Sequence, residues 1–68
     1  MGNSQMDMQP VASSAVSEIG YADGKMRIRY KNGGTYEYDV DEATYQRLLA
    51  SESIGRAVRG LPRGVKIG

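Results

Sequence analysis

The sequence predicts an α+β fold in which a three-stranded antiparallel β-meander is covered on one face by two C-terminal helices. Apolar and polar residues alternate in two runs, as they do in half-buried strands. Glycine-containing turns bound these runs, and apolar residues after Asp41 recur at helical spacing. The predicted strands cover residues 16–21, 25–31 and 35–40.

The chain has 68 residues, which is the size of one small domain. Residues 1–10 are polar and show no period, so we predict a flexible N-terminal tail followed by a single domain over residues 11–68. The absence of Cys favours a reducing compartment. The sequence shows neither a signal-peptide pattern nor an apolar stretch long enough to span a membrane. We therefore expect a cytoplasmic protein without membrane contact.

The first turn is predicted at Asp23-Gly24, a dipeptide typical of two-residue type I′ hairpins. This turn pairs Tyr21 with Met26. It also pairs Ile19 with Ile28. Residues that lie directly opposite each other share a face of the sheet, so the turn predicts one apolar face.

The second turn sets the register of the other hairpin, and we predict a three-residue loop at Asn32-Gly33-Gly34. A two-residue loop would place Ile28 beside Glu37, whereas the longer loop keeps apolar residues together. Gly34 suits the left-handed end of such a loop. The predicted pairs are Tyr30–Tyr36, Ile28–Tyr38 and Met26–Val40 on the apolar face, and Arg29–Glu37 and Arg27–Asp39 on the opposite face.

The first helix is predicted from Asp41 to about Ala50. Asp41 is a favourable N-cap residue, and Glu42 favours the positive end of the helix dipole. One side of this helix is apolar and can cover the sheet. Its apolar residues are Tyr45, Leu48 and Leu49.

The second helix is predicted to start at Ser53 and to end before Pro62, because the residue before a proline resists helical geometry. Its apolar stripe consists of Ile54, Ala57, Val58 and Leu61. Ser53 is interpreted as a capping residue rather than as part of an anion site. Residues 65–67 form either a short edge strand or a frayed end.

Several short elements follow one another in a distinctive order over roughly residues 11–61. The most distinctive are Tyr36-Glu37-Tyr38 and Ser53-Ile54-Gly55. The others are Ser13-Ser14, Ile19-Gly20-Tyr21, the strand from Met26 to Tyr30, Gly34, Val40, Tyr45 and Leu48-Leu49. In this order they resemble the KTSC domain, a family named after the C-terminal segment of some lysyl-tRNA synthetases and also found as small stand-alone bacterial proteins.

This resemblance implies RNA binding as the leading hypothesis for function. One position departs from the family. An aromatic residue followed by Asn often comes after the Ser-x-Gly element, whereas Ala57-Val58 stands here. A partner contact made by that region in relatives is therefore not carried over to this chain.

Tyr36 and Tyr38 have two interpretations. Strand aromatics can stack on unpaired bases, as in several RNA-binding sheets. The predicted register instead turns both rings toward Ile28 and the covering helices, which favours a place in the core.

Basic residues offer two candidate surfaces. Arg27, Arg29 and Lys31 form a stripe on one strand, but Glu37 and Asp39 are predicted to neutralise the two arginines and to leave Lys31 unpaired. The stronger candidate is the C-terminal segment, because no acidic residue follows Glu52. The predicted phosphate-binding residues are Arg56, Arg59, Arg63, Lys66 and Lys31.

Catalysis is not expected. The chain contains neither His nor Cys, so it has no usual general base or thiol nucleophile. Asp39 and Asp41 have structural roles as an ion-pair partner and a helix cap, so we predict neither a metal nor a cofactor. The sequence thus predicts a small non-catalytic binding module for RNA. The alternatives are a protein-interaction module and a small accessory protein with a specific partner, and the sequence does not indicate an oligomeric state.

Overall fold

A computed structural model of the chain describes residues 7–68. Its single sheet is antiparallel and has five strands in the order β1-β2-β3-β4-β5. The strands are β1 (Met8–Pro10), β2 (Val16–Ala22), β3 (Lys25–Tyr30), β4 (Gly34–Asp39) and β5 (Val65–Lys66). Between β4 and β5 lie α1 (Glu42–Leu49), α2 (Ile54–Ala57) and a 3₁₀ turn (Val58–Gly60). The α+β class and the two covering helices are confirmed.

The prediction of three strands is wrong, because short strands extend both edges of the meander. Met8–Pro10 pairs with β2, so the predicted flexible tail does not hold for these residues. Residues 1–6 of that tail lie outside the described residues. Pro10 lacks an N–H group, which suits an edge strand. Val65–Lys66 pairs with β4 and settles the open choice between a strand and a frayed end.

The register of the β2–β3 hairpin is confirmed. Tyr21 lies opposite Met26, and Ile19 lies opposite Ile28. Asp23 and Gly24 both have positive φ, at 51° and 76°, as a type I′ turn requires.

The predicted register of the β3–β4 hairpin is wrong by two residues. Tyr30 lies opposite Gly34, and Ile28 lies opposite Tyr36, so the loop is Lys31-Asn32-Gly33. Gly34 is the first residue of β4, and its φ of 92° is positive, as predicted for this glycine. A Cβ at this position would collide with the backbone carbonyl of Gly68. The glycine therefore permits the close approach of the C-terminal segment to β4.

A shift of two residues leaves every side chain on the face that was predicted for it. It does change the charged pairs. The ion pairs are Lys25–Asp39, Arg27–Glu37 and Arg29–Glu18, in place of the predicted Arg27–Asp39 and Arg29–Glu37.

The core lies between the sheet and the helices. Four side chains of β2 and β3 are fully buried, while β4, α1 and α2 each contribute one buried residue. The buried apolar residues are Val16, Ile19, Met26, Ile28, Tyr38, Leu48 and Ile54. Each helix thus places one buried residue, Leu48 or Ile54, against the inner face of the meander.

Helix α1 begins as predicted. The Thr44 hydroxyl and the Thr44 amide both donate to Asp41 Oδ1, the amide over 2.9 Å, and these hydrogen bonds lower the pKa of Asp41. The Tyr45 ring stacks on Tyr21 with a centroid distance of 5.1 Å. The Tyr21 hydroxyl also donates to the Val40 carbonyl, 3.1 Å away, so α1 and its entry are fixed to β2.

Helix α2 is shorter than predicted, because the chain changes to 3₁₀ geometry at Val58. The predicted stripe still packs on the core through Ile54, Ala57 and Val58. Ser53 occupies the N-cap position, but its side chain forms no capping hydrogen bond within residues 7–68. The predicted N-cap position of Ser53 is confirmed, whereas a capping hydrogen bond from its side chain is not formed in the described chain.

Tyr38 lies where the sheet, the core and the C-terminal segment meet. Its ring is buried, with 8% of its surface exposed, and its hydroxyl lies 2.6 Å from the Tyr30 hydroxyl. The backbone of Gly64 lies directly against the ring. This contact positions the chain just before it enters β5.

We predict that Gly64→Ala destabilises the domain by about 1–3 kcal/mol, the usual cost of forcing extra atoms into a packed core. An alanine Cβ would lie 2.5 Å from Cε2 and 2.8 Å from Cζ of Tyr38. Gly60→Ala is the matched control, since no described atom lies within 4 Å of its Cβ position. Urea unfolding measures the free energy of unfolding of both variants. Equal stability of the two variants contradicts the packing assigned to Gly64.

We also predict that Tyr30 ionises only well above pH 10, the ordinary pKa of a tyrosine. Burial first, and then the hydrogen bond with Tyr38, raise the pKa of Tyr30. The unfolded chain loses the Tyr30 proton at lower pH than the folded chain does. The protonated Tyr30 hydroxyl therefore stabilises the fold below pH 10, and this contribution is lost as the pH rises further. The absorbance difference at 295 nm between the native protein and Tyr30→Phe reports this ionisation. A difference curve centred at pH 10 contradicts the prediction.

Candidate nucleic-acid interface

Basic side chains on the helix-free face of the sheet are paired with acids. Arg27 Nη2 lies 3.0 Å from Glu37 Oε2, and Arg29 Nη1 lies 3.1 Å from Glu18 Oε1. Lys25 pairs with Asp39, whose hydrogen bond and charge raise the pKa of the lysine. These carboxylates cancel the local positive potential, so this face has little attraction for phosphates.

Basic side chains of the C-terminal segment have no such partners. All four are exposed, and no ion pair joins any of them to an acid within residues 7–68. They are Arg56, Arg59, Arg63 and Lys66. Their positive charge is therefore available to an anionic ligand.

Lys31 and Arg56 extend from backbone that borders the loop between β1 and β2, residues 11–15. The Lys31 amide donates to the Ala15 carbonyl over 3.0 Å. On the other side, the Cβ position of Gly55 lies 3.4 Å from Ala15 Cβ and 3.9 Å from Ser13 Oγ. The Ser13 hydroxyl also accepts hydrogen bonds from the amides of residues 15 and 16, which holds this loop in shape. The fold thus brings the β3–β4 turn toward the start of α2.

Lys66 lies near the same turn. It pairs with Tyr36 across β4 and β5, so its side chain is on the helix-covered side of the sheet. Its Cε lies 3.2 Å from the Cβ position of Gly34, immediately after the loop that contains Lys31. Arg59 lies in the 3₁₀ turn, and Arg63 lies in the connection between that turn and β5.

The two tyrosines of the central strand have different environments. Tyr38 is buried in the core, as predicted, and cannot stack on a base. Tyr36 is half-buried and packs edge-to-face on Tyr30, with a centroid distance of 5.7 Å and an interplanar angle of 79°. Part of its surface remains accessible beside Lys66.

Sequence reasoning missed a groove between α1 and the segment formed by α2 and the 3₁₀ turn. Its volume is about 300 Å³. It is lined by Thr44, Arg47, Leu48, Ser51, Ala57, Gly60 and Leu61. Arg47 is the one charged residue of this lining, and no acid pairs with it within residues 7–68. The packing of the two helices creates this groove, and no sequence motif marks it.

A second depression, of about 270 Å³, lies on the helix-free face. The Arg27 Nε atom is buried and has no hydrogen-bond partner among residues 7–68. The guanidinium nevertheless pairs with Glu37, which leaves this depression electrically balanced.

Residues 7–68 contain neither a cluster of metal-ligating side chains nor a helix able to span a membrane. No three acidic side chains of this range gather as they would around a metal ion. Asp39 pairs with Lys25, and Asp41 caps α1. Within the same range, no helix has the length and apolar character needed to cross a membrane.

Comparisons with known proteins agree with the resemblance read from the sequence. Residues 12–61 match the KTSC domain family. A protein from Tsukamurella paurometabola is 44% identical over 57 residues, which cover 79% of this chain and 85% of that protein. The crystal structure of a KTSC domain protein from Yersinia pestis superposes with a TM-score of 0.84 at 35% identity, covering 94% of this chain and all of that one (100%). The chain therefore belongs to the KTSC domain family.

Proposed function

We propose that this KTSC domain is a non-catalytic RNA-binding module. Its phosphate-binding residues are Arg56, Arg59, Arg63, Lys66 and Lys31. One observation carries the proposal. The basic residues of β3 are paired with carboxylates, whereas those of the C-terminal segment are exposed and have no acidic partner in the described chain.

Electrostatics explains why this difference matters. The whole chain has a net charge of +1, so no broad positive field surrounds it. Attraction for a polyanion must therefore come from a local group of unpaired cations, which displace counterions from phosphates. The segment after Glu52 meets this condition, because it contains three arginines and one lysine and no acid. The family resemblance to a C-terminal segment of some lysyl-tRNA synthetases supports RNA as this polyanion.

A protein-interaction module is the alternative, and the edge strand β5 favours it. Val65 and Ile67 are large apolar residues with 65% and 45% of their surfaces exposed. The chain at this edge can accept an additional strand from a partner. Recovery of one protein at stoichiometric yield in a pull-down, without RNA binding, supports this alternative.

We predict that Arg56→Ala/Arg59→Ala weakens RNA binding and reduces its salt dependence. Loss of two phosphate contacts lowers the slope of log K against log salt by roughly 1.4 for a single strand, about 0.7 per contact. Fluorescence anisotropy with a labelled 12-nucleotide RNA at several salt concentrations measures the slope. Lys25→Ala/Arg29→Ala removes the same charge from the sheet, and these cations are already paired, so this control keeps the original slope.

Two outcomes contradict the proposal. If the unmodified domain binds no RNA even at low salt, the RNA function is wrong. If both double variants reduce the salt dependence equally, the RNA phosphates do not bind specifically to the C-terminal segment.

A further inference from the structure

We propose that the groove between α1 and α2 receives one unpaired base of the bound RNA, so that the domain prefers single-stranded to duplex RNA. This inference rests on the proposed RNA function and identifies the form of RNA that the site takes.

The shape and lining of the groove suit a flat heterocycle. Its volume of about 300 Å³ is at the small end of the range for ligand sites. Leu48, Ala57 and Leu61 provide apolar surface, against which a base face can pack. Gly60 leaves one side of the groove without a side chain.

The polar groups of the groove favour stacking over base-specific hydrogen bonds. The Thr44 hydroxyl lies 2.6 Å from Asp41 Oδ1 and donates to it. The Ser51 hydroxyl donates to the Leu48 carbonyl over 2.8 Å. Both hydroxyl protons are therefore engaged within the protein. Arg47 remains, and its planar guanidinium can stack on the inserted base. Such a site tolerates different bases.

The groove lies beside the basic segment. Arg56 immediately precedes Ala57, and Arg59 immediately precedes Gly60, so the two arginines belong to the same helical turns as two of the lining residues. A strand whose phosphates contact these arginines passes next to the groove. Bases in a duplex stay paired and stacked, so only an unpaired base can enter.

An acidic peptide is the competing occupant, because Arg47, Arg56 and Arg59 also attract carboxylates. Helical peptides bind grooves through several apolar anchors spaced over two turns. A groove of about 300 Å³ accommodates one such group rather than a row of them. Its size therefore favours a single base.

Gly60→Leu tests the inference, because the new side chain extends from a groove-lining position. No described atom lies within 4 Å of the Cβ position of Gly60, so the fold accepts the change. Gly60→Ala is the matched control with little added volume. The probes are a labelled 12-nucleotide oligouridine and a 12-base-pair RNA duplex, measured by anisotropy at low salt. We expect Gly60→Leu to weaken oligouridine binding about 10-fold, within the range for loss of one stacked base, and to leave duplex binding unchanged.

Arg47→Ala and Arg47→Lys provide an independent measurement on an exposed side chain, should Gly60→Leu fail to fold. Both variants lose the planar guanidinium, so both should weaken oligouridine binding more than duplex binding. An effect of Arg47→Ala that Arg47→Lys restores fully indicates a charge contact only and overturns base stacking.

The remaining outcomes separate the two proposals. If neither RNA binds the unmodified domain, the proposed RNA function fails and base insertion fails with it. If RNA binds but Gly60→Leu affects both probes equally or neither, base insertion alone is overturned. An acidic leucine-containing peptide whose binding Gly60→Leu abolishes, with RNA binding unaffected, assigns the groove to a protein partner and also overturns base insertion.

Discussion

The packing around Tyr38 is the interaction on which the rest of this structure depends. Its buried ring contacts the Gly64 backbone, and its hydroxyl lies 2.6 Å from that of Tyr30. Three separate parts of the chain therefore meet at one side chain: the central hairpin, the core beneath the helices and the C-terminal segment. Because the backbone at Gly64 approaches the ring so closely, the chain can then turn into β5 and complete the sheet. The same packing commits the inner face of the sheet to the core and excludes Tyr38 from recognition.

Alternation of apolar and polar residues was sufficient to predict which face of each central strand is buried. The exact β3–β4 pairing was not predicted, because Gly34 has two possible explanations. A left-handed loop end and a close backbone contact both require glycine, and only the fold reveals that Gly68 lies against it. Strands β1 and β5 have three and two residues, too few to show a period. The basic C-terminal segment could be predicted from the sequence because it lacks acidic residues. The groove beside Arg47 could not be predicted, because it forms only when α1 packs on α2.

Charge pairing assigns different roles to the two surfaces of the domain. On the helix-free face, cross-strand geometry places each basic residue beside an acid, for example Arg27 beside Glu37. On the segment formed by α2 and the 3₁₀ turn, the basic residues have no such neighbours in the described chain. A chain with a net charge of +1 can thus concentrate its anion affinity in one region. The half-buried Tyr36 and the α1–α2 groove lie on the helix-covered side, where apolar contacts can supplement phosphate binding.

On the proposed function, RNA binds on the α2 side of the domain and not on the open sheet. An NMR titration of ¹⁵N-labelled protein with single-stranded RNA distinguishes the two surfaces, because each backbone amide reports its own surroundings. We expect the largest shift changes at residues 56–61 and at Arg47 and Ser51, with little change at Arg27, Arg29 and Glu37. Shift changes concentrated on the helix-free strand residues, with residues 56–61 unaffected, would contradict this expectation.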